Sequence, residues 1–532
     1  MDFYSLYTPS RYFTNALSGE LTLSEILEGD SFTVDVHNAE NSVLTEAISL
    51  SLPDSTYEVT WPGQTALSTQ AELNANQLTV GAYNTVTVTV TFLSPGRTQE
   101  QQASFEWGGV AMTVYYTRNL MLFEEPEGGV EELMEFKTDV SEAWDGTEKR
   151  TRIRANPRTT YTFEYTVADR QQGVSFQAKM MGLPGRKARI GLWHRTQLFS
   201  SVTVDIDGNL LITASGGLDP SFFALSPGDR VWYYDNVTGE IFSHGLGYTL
   251  SGGTIALPPT PPSTPGFPIF FNASRYTLLP TAEVFMQERP SVGLFPSGAT
   301  RYSVEWVEPN SSTFYQNERD NSTAWQDLCN SESYLSRPVL REGQYISGSL
   351  RFSSDSGSVW FDQSIGTIDT LNRRDSSAVS FERQFDYTFE SNKVHSLRKF
   401  LHWTWGRQRS FWVPSTANDL FISTAAANGL SATFLGDDMG LLTPLLDGYS
   451  HLEADFGNGT RKQAQVIGQD SDGTNVTLTF DDVFVTDTDL ASHPNMTISI
   501  LYHVRLASDK IKINYDGPEE VSCRVNLVTV KQ

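Results

Sequence analysis

Residues 85–92 read TVTVTVTF. A strict period of two puts every valine on one face and every threonine on the other, which is the pattern of a half-buried strand and of nothing else. The alternation returns in SFTVDVHN (31–38), TYEVTW (56–61) and AMTVYYT (111–117), with Pro, Gly and Asn between the runs. Short alternating segments punctuated in this way predict a small β-sandwich of immunoglobulin-like type over residues 1–122. Beyond it, Ser, Thr, Val and Gly stay frequent and long Leu/Ala/Glu/Lys runs are nearly absent. The expectation is an all-β chain built of β-sandwich or β-barrel modules with one or two short helices.

The acidic stretch FEEPEGGVEELMEF (123–136) reads as a linker or the entry to a second unit. In residues 123–310 a strand, YTFEYTV (161–167), is followed by QGVSFQAKMMG (172–182), a short helix or a sheet edge. Then come GRKARIGLWH and VTVDIDGNLLITA (202–214), a hairpin turning at Asp207-Gly208. LPPTPPSTPGFP (257–268) has too many prolines for a central strand and reads as an extended loop. Residues 311–375 form a connecting arm. Residues 376–532 repeat the earlier order: SFERQFDYTFE (380–390) as a strand, KVHSLRKFLHWTWG (393–406) as the best helix, then a hairpin in 463–480 turning at Asp472-Gly473. YTFE occurs at 161–164 and 387–390, and each copy is followed by a Gly-Arg phrase with an aromatic. This reads as an internal duplication of a β-rich module.

The chain carries a formal net charge of −25. Such a surface repels nucleic acid phosphates rather than neutralising them, though it could line a passage along which DNA slides. Two distant cysteines, Cys329 and Cys523, make no disulfide framework. The start has no charged-then-apolar leader, and no run of 18 apolar residues exists, so nothing predicts membrane insertion. No Cys/His set suits zinc, and DIDGN (205–209) and DSDG (470–473) lack the glutamate of a calcium loop. No nucleophile elbow, phosphate loop or dinucleotide fingerprint is present. No catalytic residue, metal ligand or cofactor site is expected, and the chain reads as a non-enzyme. Carboxylate pairs for glycoside hydrolysis stay open, since nothing in the sequence positions them.

The phrase that most resembles a site is GRQRSFWVPSTANDL (406–420), with its counterpart GRKARIGLWHRTQL (185–198). Catalytic constellations seldom need two copies on one chain, whereas packing and assembly devices often do. Arg407, Arg409, Phe411, Trp412 and Pro414, with Arg186, Arg189 and Trp193 as the earlier set, therefore read as a helix-to-sheet anchor or a subunit contact. A ligand site is the alternative. His402, on the helix, reads as a surface or packing histidine.

Over residues 335–422 the chain resembles tail-tip structural proteins of long, non-contractile-tailed bacteriophages, including the ring-forming distal tail (baseplate-type) proteins. Pro338-Val339-Leu340, Asp369, Gly406-Arg407, Phe411-Trp412-x-Pro414 and Asp419-Leu420 match that pattern. The likeness is fainter over 130–200, where Trp193 has no following Pro, and is absent from 1–120. It implies a virion structural protein, assembled in the host cytoplasm, that forms a homotrimeric or homohexameric ring. Such a ring joins the tail tube protein to tail hub or tip proteins and lets DNA pass without specific binding. Three chains with two distal-tail-like modules each would present six to a hexameric tube. Residues 1–122 could meet the host cell surface. The alternatives are a peripheral tail component (sheath, appendage or receptor-binding protein) and a secreted carbohydrate-binding β-sandwich protein.

Overall fold

The computed structural model describes residues 11–13, 20–26, 31–51, 57–92, 100–118, 120–122, 124–143, 147–168, 170–181, 187–204, 210–214, 231–238, 241–244, 249–251, 254–257, 276–288, 290–294, 299–308, 323–345, 353–355, 358–361, 369–372, 378–388, 391–415, 417–435, 450–517 and 520–531. The Pro-rich stretch 257–268, the Asp207-Gly208 turn and Arg186 lie largely or wholly outside them. The chain is all-β, with a few short helices. It divides into two compact units. One comprises 1–124, 167–191 and 281–300, and the other 125–166, 192–280 and 301–532. The stretch 123–310 is thus shared between them.

In the first unit, two four-stranded sheets enclose one core. The strands are β1 Arg11–Phe13, β2 Glu20–Ile26, β3 Ser31–Asn38, β4 Ile48–Ser51, β5 Tyr57–Thr60, β6 Thr85–Phe92, β7 Glu100–Trp107 and β8 Val110–Arg118. The sheet orders are β1-β3-β6-β5 and β2-β8-β7-β4. Alternation does what the sequence implied: Val34, Val36, Val88 and Val90 are buried on one inner face, and Phe105, Trp107, Met112 and Val114 on the other. A helix, α1 Gln70–Ala75, is closed at its start by a reciprocal Thr69–Glu72 capping box. The same unit holds β9 Leu120–Leu122, a helix α2 Arg170–Met181, β10 Lys187–Gly191 and β11 Thr281–Met286. The span read as a helix or an edge is therefore helical. β9 pairs parallel with β10, and β10 antiparallel with β11.

The second unit is organised around β12 Val130–Glu135, β13 Arg158–Val167 and β14 Thr300–Glu308. To these it adds β15 Ala378–Thr388, α3 Ser391–Thr404, β16 Ser410–Pro414, β17 Phe421–Ala425, β18 Ser431–Leu435, β19 His451–Asp455, β20 Arg461–Ser471, β21 Asn475–Phe480, β22 Thr497–Leu506, β23 Lys510–Tyr515 and β24 Glu520–Thr529. The expected linker thus contains a strand. β12 pairs with β13 on one side and with β23 on the other. β23 pairs with β24, and β24 with β15. Val130, Glu132 and Met134 point inward together, because a period of two admits no exception for a carboxylate.

Six of these strands close on themselves in the order β17-β18-β21-β20-β19-β22. The Leu420–Ile498 bridge brings the first back to the last. Phe434, Ala454, Val476, Phe480, Phe484 and Ile498 fill the barrel so formed. DSDG is its hairpin turn: Gly473 sits at φ +90°, and Asp472 Oδ1 accepts from the Thr474 and Asn475 amides. Cys329 and Cys523 are buried free thiols, and burial pushes the latter up to about 12. Among the described residues, no helix is long and apolar enough to cross a membrane.

Candidate functional site

α3 carries Val394, Leu397, Phe400 and Leu401 toward the core, and His395, Arg398 and His402 are buried as well. A helix buried almost all round needs polar partners for its polar side chains. It ends at Trp405 (φ +55°) and Gly406 (φ +60°), two successive left-handed residues. Glycine is required at 406: a Cβ there would collide with Asp509 Oδ1 and stand 2.9 Å from Phe136 Cβ. Asp509 Oδ1 accepts from the Arg407 amide at 2.9 Å, and Oδ2 from the Thr138 amide at 2.7 Å. Arg407 Nη2 donates to Thr138 O at 2.7 Å and approaches Asp509 Oδ2 at 3.4 Å. The Gly-Arg phrase is a splice joining a helix end to two other segments.

The next residues are core. Phe411 is fully buried and meets Phe400 edge-to-face at 5.1 Å, pinning α3 to β16. Trp412, 1% exposed, donates Nε1–H to Tyr334 O at 2.9 Å and packs on His451 and His503 at 4.6 and 4.9 Å. Arg409 lays its guanidinium over the Trp403 ring at 5.2 Å. Pro414 is the last residue of β16, and its carbonyl accepts from the buried Arg383 at 3.5 Å. Neither Phe411 nor Trp412 has surface to offer a second subunit. Of the earlier set, Arg189 Nη1 donates to Thr281 Oγ1 at 3.1 Å. Trp193 is half-buried and meets Tyr234 edge-on at 5.3 Å.

The phrases scattered along the sequence converge here. Val339 bridges to Trp412, and the Leu340 amide donates to Trp412 O at 2.8 Å. Arg383 reaches Leu340 O and Glu342 O at 3.2 and 2.8 Å. Asp419 Oδ2 accepts from the Ile500 amide at 2.7 Å and from Ser415 Oγ. Burial raises the Asp419 carboxyl against those bonds.

A second group, invisible to the sequence reading, surrounds Glu132. Arg195 Nη2 donates to Glu132 Oε1 at 2.7 Å, while Arg398 Nη1 and Tyr515 OH donate to Oε2, the latter at 3.0 Å. Arg195 also reaches Tyr161 OH at 3.2 Å, and Tyr161 donates to Glu308 Oε2 at 3.0 Å. Burial opposes ionisation of Glu132, but Arg195 and Arg398 together outweigh it and hold its carboxyl far below the usual range. At Glu308 burial wins over the same arginines and pushes the carboxyl up to about 7. Burial, then the neighbouring arginine, drives His194 well below its ordinary value and His402 to about 3. His402 is thus a packing histidine, 5.8 Å edge-on to Phe136. The arrangement holds charge fixed in the core. Among the described residues, no group of three or more His, Cys, Asp or Glu is placed to hold a metal.

No protein-family model matches the chain, and no curated protein matches it. Among solved structures, a YadV chaperone aligns at a TM-score of 0.15 and 9% identity, over 56% of this chain and 100% of its own. The calcium-binding domain CBD12 of CALX1.1 aligns at a TM-score of 0.15 and 8% identity, over 33% of this chain and 90% of its own. Likenesses this slight bear on neither the fold nor the site.

Proposed function

We propose that the chain is a structural protein of a bacteriophage tail tip, forming a ring or collar that joins the tail tube to the tip and leaves a passage for DNA. One observation carries the reading. Segments 338–340, 406–414 and 419–420, which carry most of the sequence resemblance, meet in one packed, hydrogen-bonded region, whereas Asp369 lies on a separate strand pair, 369–372 with 358–361. Residues that act together as scaffold are what a rigid assembly component requires, and the charged residues among them are spent on internal bonds rather than aimed into a cleft. The acidic balance of the chain suits a wall past which DNA slides. The ring's contacts between copies must use surfaces other than Phe411 and Trp412, which are occupied within the chain.

The test is the mass of the purified chain in solution by light scattering, alone and with tail-tube and hub proteins of the same particle. A closed trimer or hexamer, formed alone or on a tube end, is expected. A monomer that no tail component assembles would overturn the proposal, and release of sugar from a polysaccharide would replace it with a glycosidase.

A further inference from the structure

In the second unit, three arginines from different elements gather beside β22. Arg150 lies on the strand Glu148–Arg152, which pairs with Thr138–Glu142. Arg337 follows a two-residue reversal whose Leu335 and Ser336 stand at φ +47° and +61°, a costly geometry for residues with side chains. Arg505 and His503 project from β22 opposite Ser410 and Trp412 of β16. Arg505 grips Glu148 with both ends of its fork, at 2.8 and 2.6 Å. Arg150 Nε stands 3.7 Å from that same carboxylate.

Among the described residues, Arg337 meets no carboxylate. Its Nη1 donates to Ser410 Oγ at 2.6 Å and faces His503 Nε2. Burial, then Arg337 and Arg150, pushes His503 down to about 3, so its imidazole is neutral and adds no further positive charge. Among the described residues, three guanidinium groups therefore share one carboxylate, in a chain whose acidic residues outnumber its basic ones 63 to 38. The imbalance has an address: Arg150 Nη1 is buried and has no hydrogen-bond partner among the described residues. A water molecule would satisfy that N–H but would leave the charge uncompensated. Access is not sealed, because Arg150 keeps 17% of its side chain exposed and Arg505 10%.

We infer that Arg150 and Arg337, with the Ser410 hydroxyl, form a binding site for a compact oxyanion of the phosphate or sulfate class. The site would supply forked donors to a tetrahedral anion and restore the local charge balance.

The probe is inorganic phosphate, titrated into the full chain by calorimetry. Thermal unfolding is followed in parallel against sodium chloride at matched ionic strength. Wild-type protein is expected to bind saturably and to show a Tm rise that chloride does not give. Arg150→Gln and Arg337→Gln are each expected to weaken binding by about 10- to 100-fold, the loss of one charge-assisted hydrogen bond. Arg461→Gln, whose partners are Glu332 and Asp455, should bind as wild type does. Without phosphate, Arg150→Gln should melt at or above wild type, since it removes an uncompensated charge; with saturating phosphate the order should reverse. This crossing does not depend on Arg337→Gln folding. A phosphate response equal to that of chloride, or one undiminished in Arg150→Gln, overturns the inference.

Discussion

Removing the Glu132 carboxylate would leave the guanidinium groups of Arg195 and Arg398 facing each other in the core. Breaking a buried pair by deleting one partner costs about 3–5 kcal/mol, because the penalty is the charge left behind. Glu132→Ala is expected to lose that much in urea unfolding. The triple change Glu132→Leu, Arg195→Met, Arg398→Met should lose far less, since the desolvation cost disappears with the charges. Comparable losses in both would mean that the contribution is packing rather than charge. Trp412 is a different case, a ring with no charge to strand. Trp412→Ala should cost about 3–5 kcal/mol through the cavity and the lost Tyr334 bond, whereas Arg409→Ala, which removes a half-buried cation–π contact, should cost about 0.5–1 kcal/mol. If the two losses proved equal, Trp412 would not be the anchor that its burial indicates.

At the scale of elements, α3 was legible because Leu397, Phe400 and Leu401 recur at helical spacing and Gly406 marks a stop; the observed bounds, Ser391–Thr404, fall within two residues of that reading. Glu132 was not legible as a buried group. An acidic run looks like a linker when scored by composition. Only the alternation of Val130, Glu132 and Met134 hints that one glutamate faces inward, and its partners lie 63 and 266 residues away in the chain. The site phrase was legible as a structural device but not in its workings: the carboxylate that receives Arg407 is Asp509, which no local pattern announces. Asp509 also sets the constraint on Gly406. Gly406→Ala places a methyl against both Asp509 and Phe136 and adds about 1–2 kcal/mol for the left-handed backbone. The loss should exceed that backbone figure in denaturant unfolding. Gly473→Ala, at φ +90° with nothing within 4 Å, isolates the backbone part alone. Equal losses at the two glycines would show that Asp509 yields without cost.

For the whole molecule, the buried titrating groups predict how stability varies with pH. His194, His402 and His503 have folded values below the ordinary 6.5, burial being the first cause in each. In the unfolded chain they take up protons near that pH, and in the folded chain they do not. Their contribution is therefore present above about pH 6.5 and is lost as pH falls. Glu308 works in the opposite sense. Its folded value, raised to about 7 by burial, lies above the ordinary 4.5, so the folded state holds a proton that the unfolded state has released. That contribution is complete below about pH 4.5 and is lost as pH rises through 7. Between those limits three histidines oppose Glu308 and Asp419, whose carboxyl burial also raises, and stability should rise with pH. Glu308→Gln keeps an acceptor for the Tyr161 hydroxyl but removes the opposing proton. The rise should then be steeper by about one proton, at most ~1.4 kcal/mol per pH unit. Urea unfolding of both proteins from pH 4.5 to 7.5 gives the difference directly, and every other titrating group cancels in it. Parallel curves would mean that Glu308 ionises in the folded chain as it does in the unfolded one, and that Arg195 and Arg398 carry two carboxylates rather than one.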